Sequence, residues 1–143
     1  MKYEQLIIES KEYYRIKEMI GSSNNKIDQT YRAWVDKFLN ELKDAKILNI
    51  TEMPDDVVRF NSTVTIQDPY RNVRAYEIVK PELSNISQNK ISVLAPMGLA
   101  LFGYAKDDEI MWQFPSGLQA IKILKVQQAT NLKQLCKWQQ LKL

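Results

Sequence analysis

Residues 91–125 read ISVLAPMGLALFGYAKDDEIMWQFPSGLQAIKILK, and this stretch alternates apolar runs with fixed points of backbone geometry. The apolar residues at 91–94 have the β-branched character of a strand. Pro96 cannot extend a central strand, because it lacks an amide donor, but it suits the first turn of a helix. A short helix over 97–102 is therefore predicted, ended at Gly103. Beyond it, 109–114 and 119–126 read as two strands that return on each other around Pro115, Ser116 and Gly117.

Working back from that stretch, 57–60, 63–67 and 75–79 are rich in β-branched and aromatic residues and are separated by turn formers such as Asp68-Pro69. A meandering antiparallel sheet is expected. Upstream, NITEMPDD at 49–56 holds Pro54 and acidic residues that oppose a helix, so it reads as a linker into a second unit. Before the linker, Tyr31, Trp34, Val35, Phe38, Leu39, Leu42 and Ala45 follow the spacing of an amphipathic helix. Ser10 is the expected N-cap of an earlier helix running through Ile20 and stopped by Gly21. The polar residues 21–30, GSSNNKIDQT, would form the bend between the two. The expected division is a helical unit over 1–50, a sheet unit over 51–128 and a basic tail over 129–143, with Leu132, Leu135, Cys136 and Gln139 on one face of the tail.

At 143 residues the chain has room for one domain or one domain with a small appendage. Its 45% hydrophobic and 26% charged residues place it with ordinary globular proteins. No apolar run is long enough to span a bilayer and no leader pattern opens the chain, so a soluble cytoplasmic protein is expected, with no membrane partner. One cysteine allows no internal disulfide. With no histidine, Ser-His and Cys-His catalysis and zinc sites are excluded within one chain. Lys133, Lys137 and Lys142 account for the net charge of +3. The body is balanced, and nucleic-acid contact is expected to be weak or indirect at most.

Ala95, Pro96, Gly98, Ala100, Leu101, Gly103, Asp108, Pro115 and Gly117 fall in the order and spacing of a signature segment. In these positions the chain resembles the bacterial Gre-type transcription factors. A second match lies in EMPDDVVRFNSTVTI at 52–66, which is similar to the Rnk proteins, the regulators of nucleoside diphosphate kinase and short-armed relatives of Gre factors. The resemblance implies an α+β fold: a short N-terminal antiparallel helical hairpin, then an FKBP-like antiparallel sheet wrapped on one short helix. It implies RNA polymerase as the partner, gripped by the loop of Ala95, Pro96 and Met97, and no cofactor or small-molecule substrate.

Gre factors present paired acids at the tip of a long finger to the magnesium of the polymerase, because hard Mg²⁺ takes oxygen ligands. Here the expected arms reach roughly 16 and 22 Å at 1.5 Å per residue. The tip offers Asn25 and Lys26 with Asp28 as its lone acid. Regulation of elongation without RNA cleavage follows from the resemblance, the alternative being a true cleavage factor with Asp28 on the magnesium. No catalytic residue and no metal site of this chain's own is expected.

Structural roles compete at each of these residues. Asp28 suits a turn or helix cap, and the Tyr31, Trp34, Phe38 and Leu42 face is expected to pack on the first helix. Asp55-Asp56 and Asp107-Asp108-Glu109 read as turn acids, since neighbours in a strand point to opposite faces. Asp107, where many relatives carry Gly, suggests a turn without positive φ. Trp138 among the tail lysines suits stacking on single-stranded nucleic acid or a docked terminal helix. Prolyl isomerase activity, a third possibility raised by the fold, has weak support, because fold does not carry function and no apolar pocket can be read from the sequence.

Overall fold

The computed structural model describes residues 2–22, 29–114 and 117–129. Strand β1 (Ile7–Glu9) runs directly into helix α1 (Ser10–Ser22), and helix α2 (Gln29–Lys43) leads to strand β2 (Lys46–Leu48). β1 and β2 pair in parallel, with Ile8 opposite Ile47. The Glu9 side chain, not Ser10, caps α1: its carboxylate accepts from the amides of Lys11 and Glu12 at 3.1 and 3.2 Å and from the Ser10 hydroxyl. Nor does Gly21 stop the helix, which runs on through Ser22.

The remaining strands are β3 (Thr63–Gln67), β4 (Val73–Val79), β5 (Lys90–Ser92), β6 (Glu109–Phe114) and β7 (Gly117–Gln127). They form a curled five-stranded sheet in the order β5-β4-β3-β7-β6. The sheet is mixed rather than wholly antiparallel, because β5 lies parallel to β4. Residues 80–89 make this possible. Two 3-10 turns, Pro81–Leu83 and Ile86–Gln88, and a left-handed Asn89 carry the chain back to Glu77, beside the last three residues of β4, before it pairs. The segment 57–60 is not a strand. It makes one isolated bridge, Val57 to Ala105, and then turns at Ser62, whose hydroxyl accepts from the Arg59 amide at 2.8 Å.

Helix α3 (Pro96–Leu101) lies on the concave face, with Gly98, Leu99, Ala100 and Leu101 all buried. It ends at Phe102, and Gly103 follows at φ +85°, a conformation glycine adopts without steric cost. Asp107 also has positive φ, +74°, contrary to the expectation that a non-glycine residue there meant an ordinary turn. Aspartate is among the few residues that tolerate this region. Next to it, Asp108 is buried, and its carboxylate accepts from the amides of Ala105 at 2.8 Å and of Lys2.

The main core cluster joins the helices to the sheet. Ile16 of α1 and Val35, Phe38 and Leu42 of α2 are buried in the same cluster as Val64, Ile78, Leu101, Phe102 and Ile123. The apolar face of α2 meets α3 and β6, and Ile16 of α1 is buried in the same cluster. Phe38 meets the edge of Phe102 with ring centroids 6.3 Å apart, and Trp34 lies over Trp112 at 4.9 Å. Among the described residues no helix is long and apolar enough to cross a membrane.

Candidate functional site

Between β5 and α3 the chain reverses within Ser92–Pro96, and almost every backbone group there is spoken for. The Val93 amide donates to the Val79 carbonyl at 2.8 Å, the Ala95 amide to the Ser92 carbonyl at 3.0 Å, and the Leu94 amide to the Ser92 hydroxyl at 3.0 Å. The Tyr31 hydroxyl, reaching across from α2, donates to the Leu94 carbonyl. Gly98 makes the reversal possible. A Cβ at that position would sit 2.9 Å from the Val93 Cα and nearer still to the Ser92 carbonyl oxygen, closer than real Cβ contacts come.

Ala95 is the N-cap of α3, half-buried, in extended geometry and without a side-chain cap. Pro96 occupies the first helical turn and stands exposed. Its ring removes an amide that would have had no helical partner and holds φ where the helix needs it. Met97 is half-buried and overhangs a cleft. Asn25, Lys26 and Asp28 lie outside the described residues, as do Pro115, Ser116, Cys136 and Trp138.

Sequence reasoning missed the cleft, which measures about 190 Å³. Met97 forms one wall, and the inner face of the sheet supplies Ile66, Arg74, Tyr76, Trp112 and Ile121. Their alternation within each strand is legible, since Ile66 pairs with Arg74 in register and Ile110 with Ile121. Their convergence is not, because it requires β7 to lie between β3 and β6. Asp68 borders the cleft, but its carboxylate is occupied by the β3–β4 turn, accepting from the Tyr70 and Asn72 amides, both at 2.9 Å.

α2 is locked to this region at its other end too. The Tyr104 hydroxyl, on the loop after α3, donates to the Glu41 carboxylate, its oxygens lying at 2.8 and 2.9 Å, and Lys37 pairs with Glu41 at 3.1 Å. Burial, and then the neighbouring Glu41 carboxylate, push ionisation of Tyr104 well above the ordinary tyrosine range. On α1, Glu12 meets Arg59 at 3.2 Å. Burial raises the Glu12 carboxyl, with the Arg59 guanidinium opposing it. These groups fasten α2 to the loop after α3 and α1 to the segment before β3. Pro96 thus stands exposed on a hydrogen-bonded reversal, beside Met97 and the cleft that it lines.

Known proteins resemble this chain in sequence and in fold. Residues 53–128 match the family model described as the C-terminal part of the transcription elongation factors GreA/GreB. Transcription elongation factor GreA of Syntrophus aciditrophicus (strain SB) is 33% identical over 88 residues, 61% of this chain and 55% of that protein. The regulator of nucleoside diphosphate kinase of Escherichia coli (strain K12) is 38% identical over 79 residues, 54% of this chain and 58% of that protein. The chain thus spans little more than half the length of these two relatives. The solved prokaryotic transcription elongation factor GreA/GreB from Nitrosomonas europaea superposes with a TM-score of 0.69 at 30% identity, over 86% of this chain and 98% of that one. The family match takes in the strands, α3 and the Ser92–Pro96 reversal that together build the cleft, and the chain accordingly belongs to the GreA/GreB family of transcription elongation factors.

Proposed function

We propose that this protein binds RNA polymerase beside the secondary channel, through Ala95, Pro96 and Met97, and regulates elongation in the cytoplasm without cleaving RNA. In this reading α1 and α2 are the arms of a short antiparallel hairpin over 1–50, residues 51–128 form an FKBP-like gripping unit, and 129–143 is a separate basic tail. The observation that carries it is the exposed Pro96 on a backbone fixed from both sides. A partner meeting that surface finds it already ordered, so little conformational entropy is lost on docking.

Absence of cleavage is supported by reach. α1 has 13 residues and α2 has 15, about 20 and 23 Å at 1.5 Å per residue. Much of that length is taken up by the globular core, since Ile16, Val35, Phe38 and Leu42 are buried in it. Within the described residues, what projects beyond that core is shorter than either helix. Asp28 is also the lone acid among residues 21–30.

Binding of purified core polymerase tests the docking surface. Pro96→Ala and Met97→Asp are expected to weaken binding while leaving the fold intact, and absence of binding by the folded wild-type protein at micromolar concentration would overturn the proposal. A stalled elongation complex tests the second part. Shortening of the nascent RNA that Asp28→Asn abolishes would establish a cleavage factor instead.

A further inference from the structure

The geometry points to a specificity element in the cleft: Arg74 selects a partner protein segment that places a carboxylate beside the apolar side chain entering under Met97. This rests on the docking surface proposed above and adds the chemistry of what docks. Arg74 lies on the inner face of β4, in register with Ile66 and two residues from Tyr76, so it rises from the same floor as the apolar walls. It is exposed, and among the described residues it forms no ion pair. The nearby acid, Asp68, already accepts from two backbone amides and from the Asn72 side-chain amide at 3.1 Å. The cleft therefore joins apolar walls of Ile66, Met97 and Ile121 to one cation whose hydrogen-bonding capacity is unspent.

A guanidinium presents a planar fork that matches a carboxylate, and such charge-assisted pairs are the strong ones. Aromatic residues beside an arginine would also suit single-stranded nucleic acid. Trp112 argues against that here, because its ring is covered by Trp34 at 4.9 Å with an interplanar angle of 31°. One face of that platform is therefore taken, and a single cation neutralises little of a phosphate chain.

Equilibrium binding of the full chain to core RNA polymerase, at low and high salt, provides the test. Arg74→Ala is expected to weaken binding roughly 10- to 100-fold, Arg74→Glu more, and Arg74→Lys less than Arg74→Ala, in line with hydrogen bonds to charged groups. Melting temperatures should stay at the wild-type value, since the side chain is exposed. Wild-type affinity for Arg74→Glu together with lost binding by Met97→Asp would overturn the carboxylate pairing and leave the docking surface standing. Unchanged binding by both variants, or no binding by the wild type, would remove the docking surface and this inference with it. Should an oligonucleotide bind the free protein and lose that binding in Arg74→Glu, the cation serves a phosphate and the proposal falls.

Discussion

Helices α1 and α2 both carry apolar residues at helical spacing, and they are of similar length, yet the structure uses them differently. α2 buries Val35, Phe38 and Leu42 along its length and adds Tyr31 to Leu94, Trp34 to Trp112 and Glu41 to Tyr104. Among the described residues α1 fully buries only Ile16, lays Tyr13, Met19 and Ile20 half-buried against the core, and is fastened near its start by the Glu9 cap and the Glu12–Arg59 pair, while Tyr14 is 71% exposed. A period of 3.6 residues tells that a helix has an apolar face. What that face covers depends on elements far away in sequence.

The largest expected effect separates the two helices directly. Phe38→Ala should cost about 3–5 kcal/mol in urea unfolding, as truncation of a buried aromatic does. Tyr14→Ala on α1 should stay within about 0.5 kcal/mol. Equal losses would mean that α2 is not the structural helix.

A smaller effect probes the lock between α2 and the loop after α3. Tyr104→Phe removes the hydroxyl that meets Glu41 and should cost about 1–2 kcal/mol at neutral pH. The folded protein holds Tyr104 above its ordinary value of 10.0, so the stabilisation is complete below pH 10 and is lost as pH rises beyond it. Each proton released only by the unfolded chain costs up to about 1.4 kcal/mol per pH unit. The advantage of the wild type over Tyr104→Phe should therefore shrink above pH 10. A constant gap would show that the hydroxyl does not report on this lock.

The smallest effect tests how α1 begins. Glu9→Ala should cost about 1 kcal/mol, the usual loss of a cap. Burial opposes ionisation of Glu9, but the Lys11 and Glu12 amides and the Ser10 hydroxyl outweigh it and hold its carboxyl below the ordinary 4.5. Its contribution is thus present above pH 4.5 and fades as pH falls below that value. If Ser10→Ala were the costlier change, the cap would belong to Ser10 after all.

The parts of the fold legible in the sequence are those fixed by covalent geometry. Pro96 starts α3 and Gly103 follows its end because a locked φ and a freely positive φ act whatever surrounds them. β3 and β6 fall at Thr63–Gln67 and Glu109–Phe114, as their alternation requires. The parallel pairing of β4 with β5 was not legible, since it depends on the path of residues 80–89. Asp107 misled for a related reason: replacing glycine does not remove the need for positive φ when the flanking hydrogen bonds, Asp107 amide to Ile123 carbonyl and Ile123 amide to Asp108 carbonyl, fix the turn.

The candidate site divides along the same line. By itself the sequence determined the reversal before α3, the residues Ala95, Pro96 and Met97 that occupy it, and the family pattern to which they belong. Only the tertiary structure decided that Tyr31 braces this loop from α2, that a cleft opens beneath Met97, and that Arg74 stands in it. The physical reason is range. Backbone preference acts within a few residues, whereas a cleft exists only where strands distant in sequence meet, and sheet order is set by the packing of the whole core.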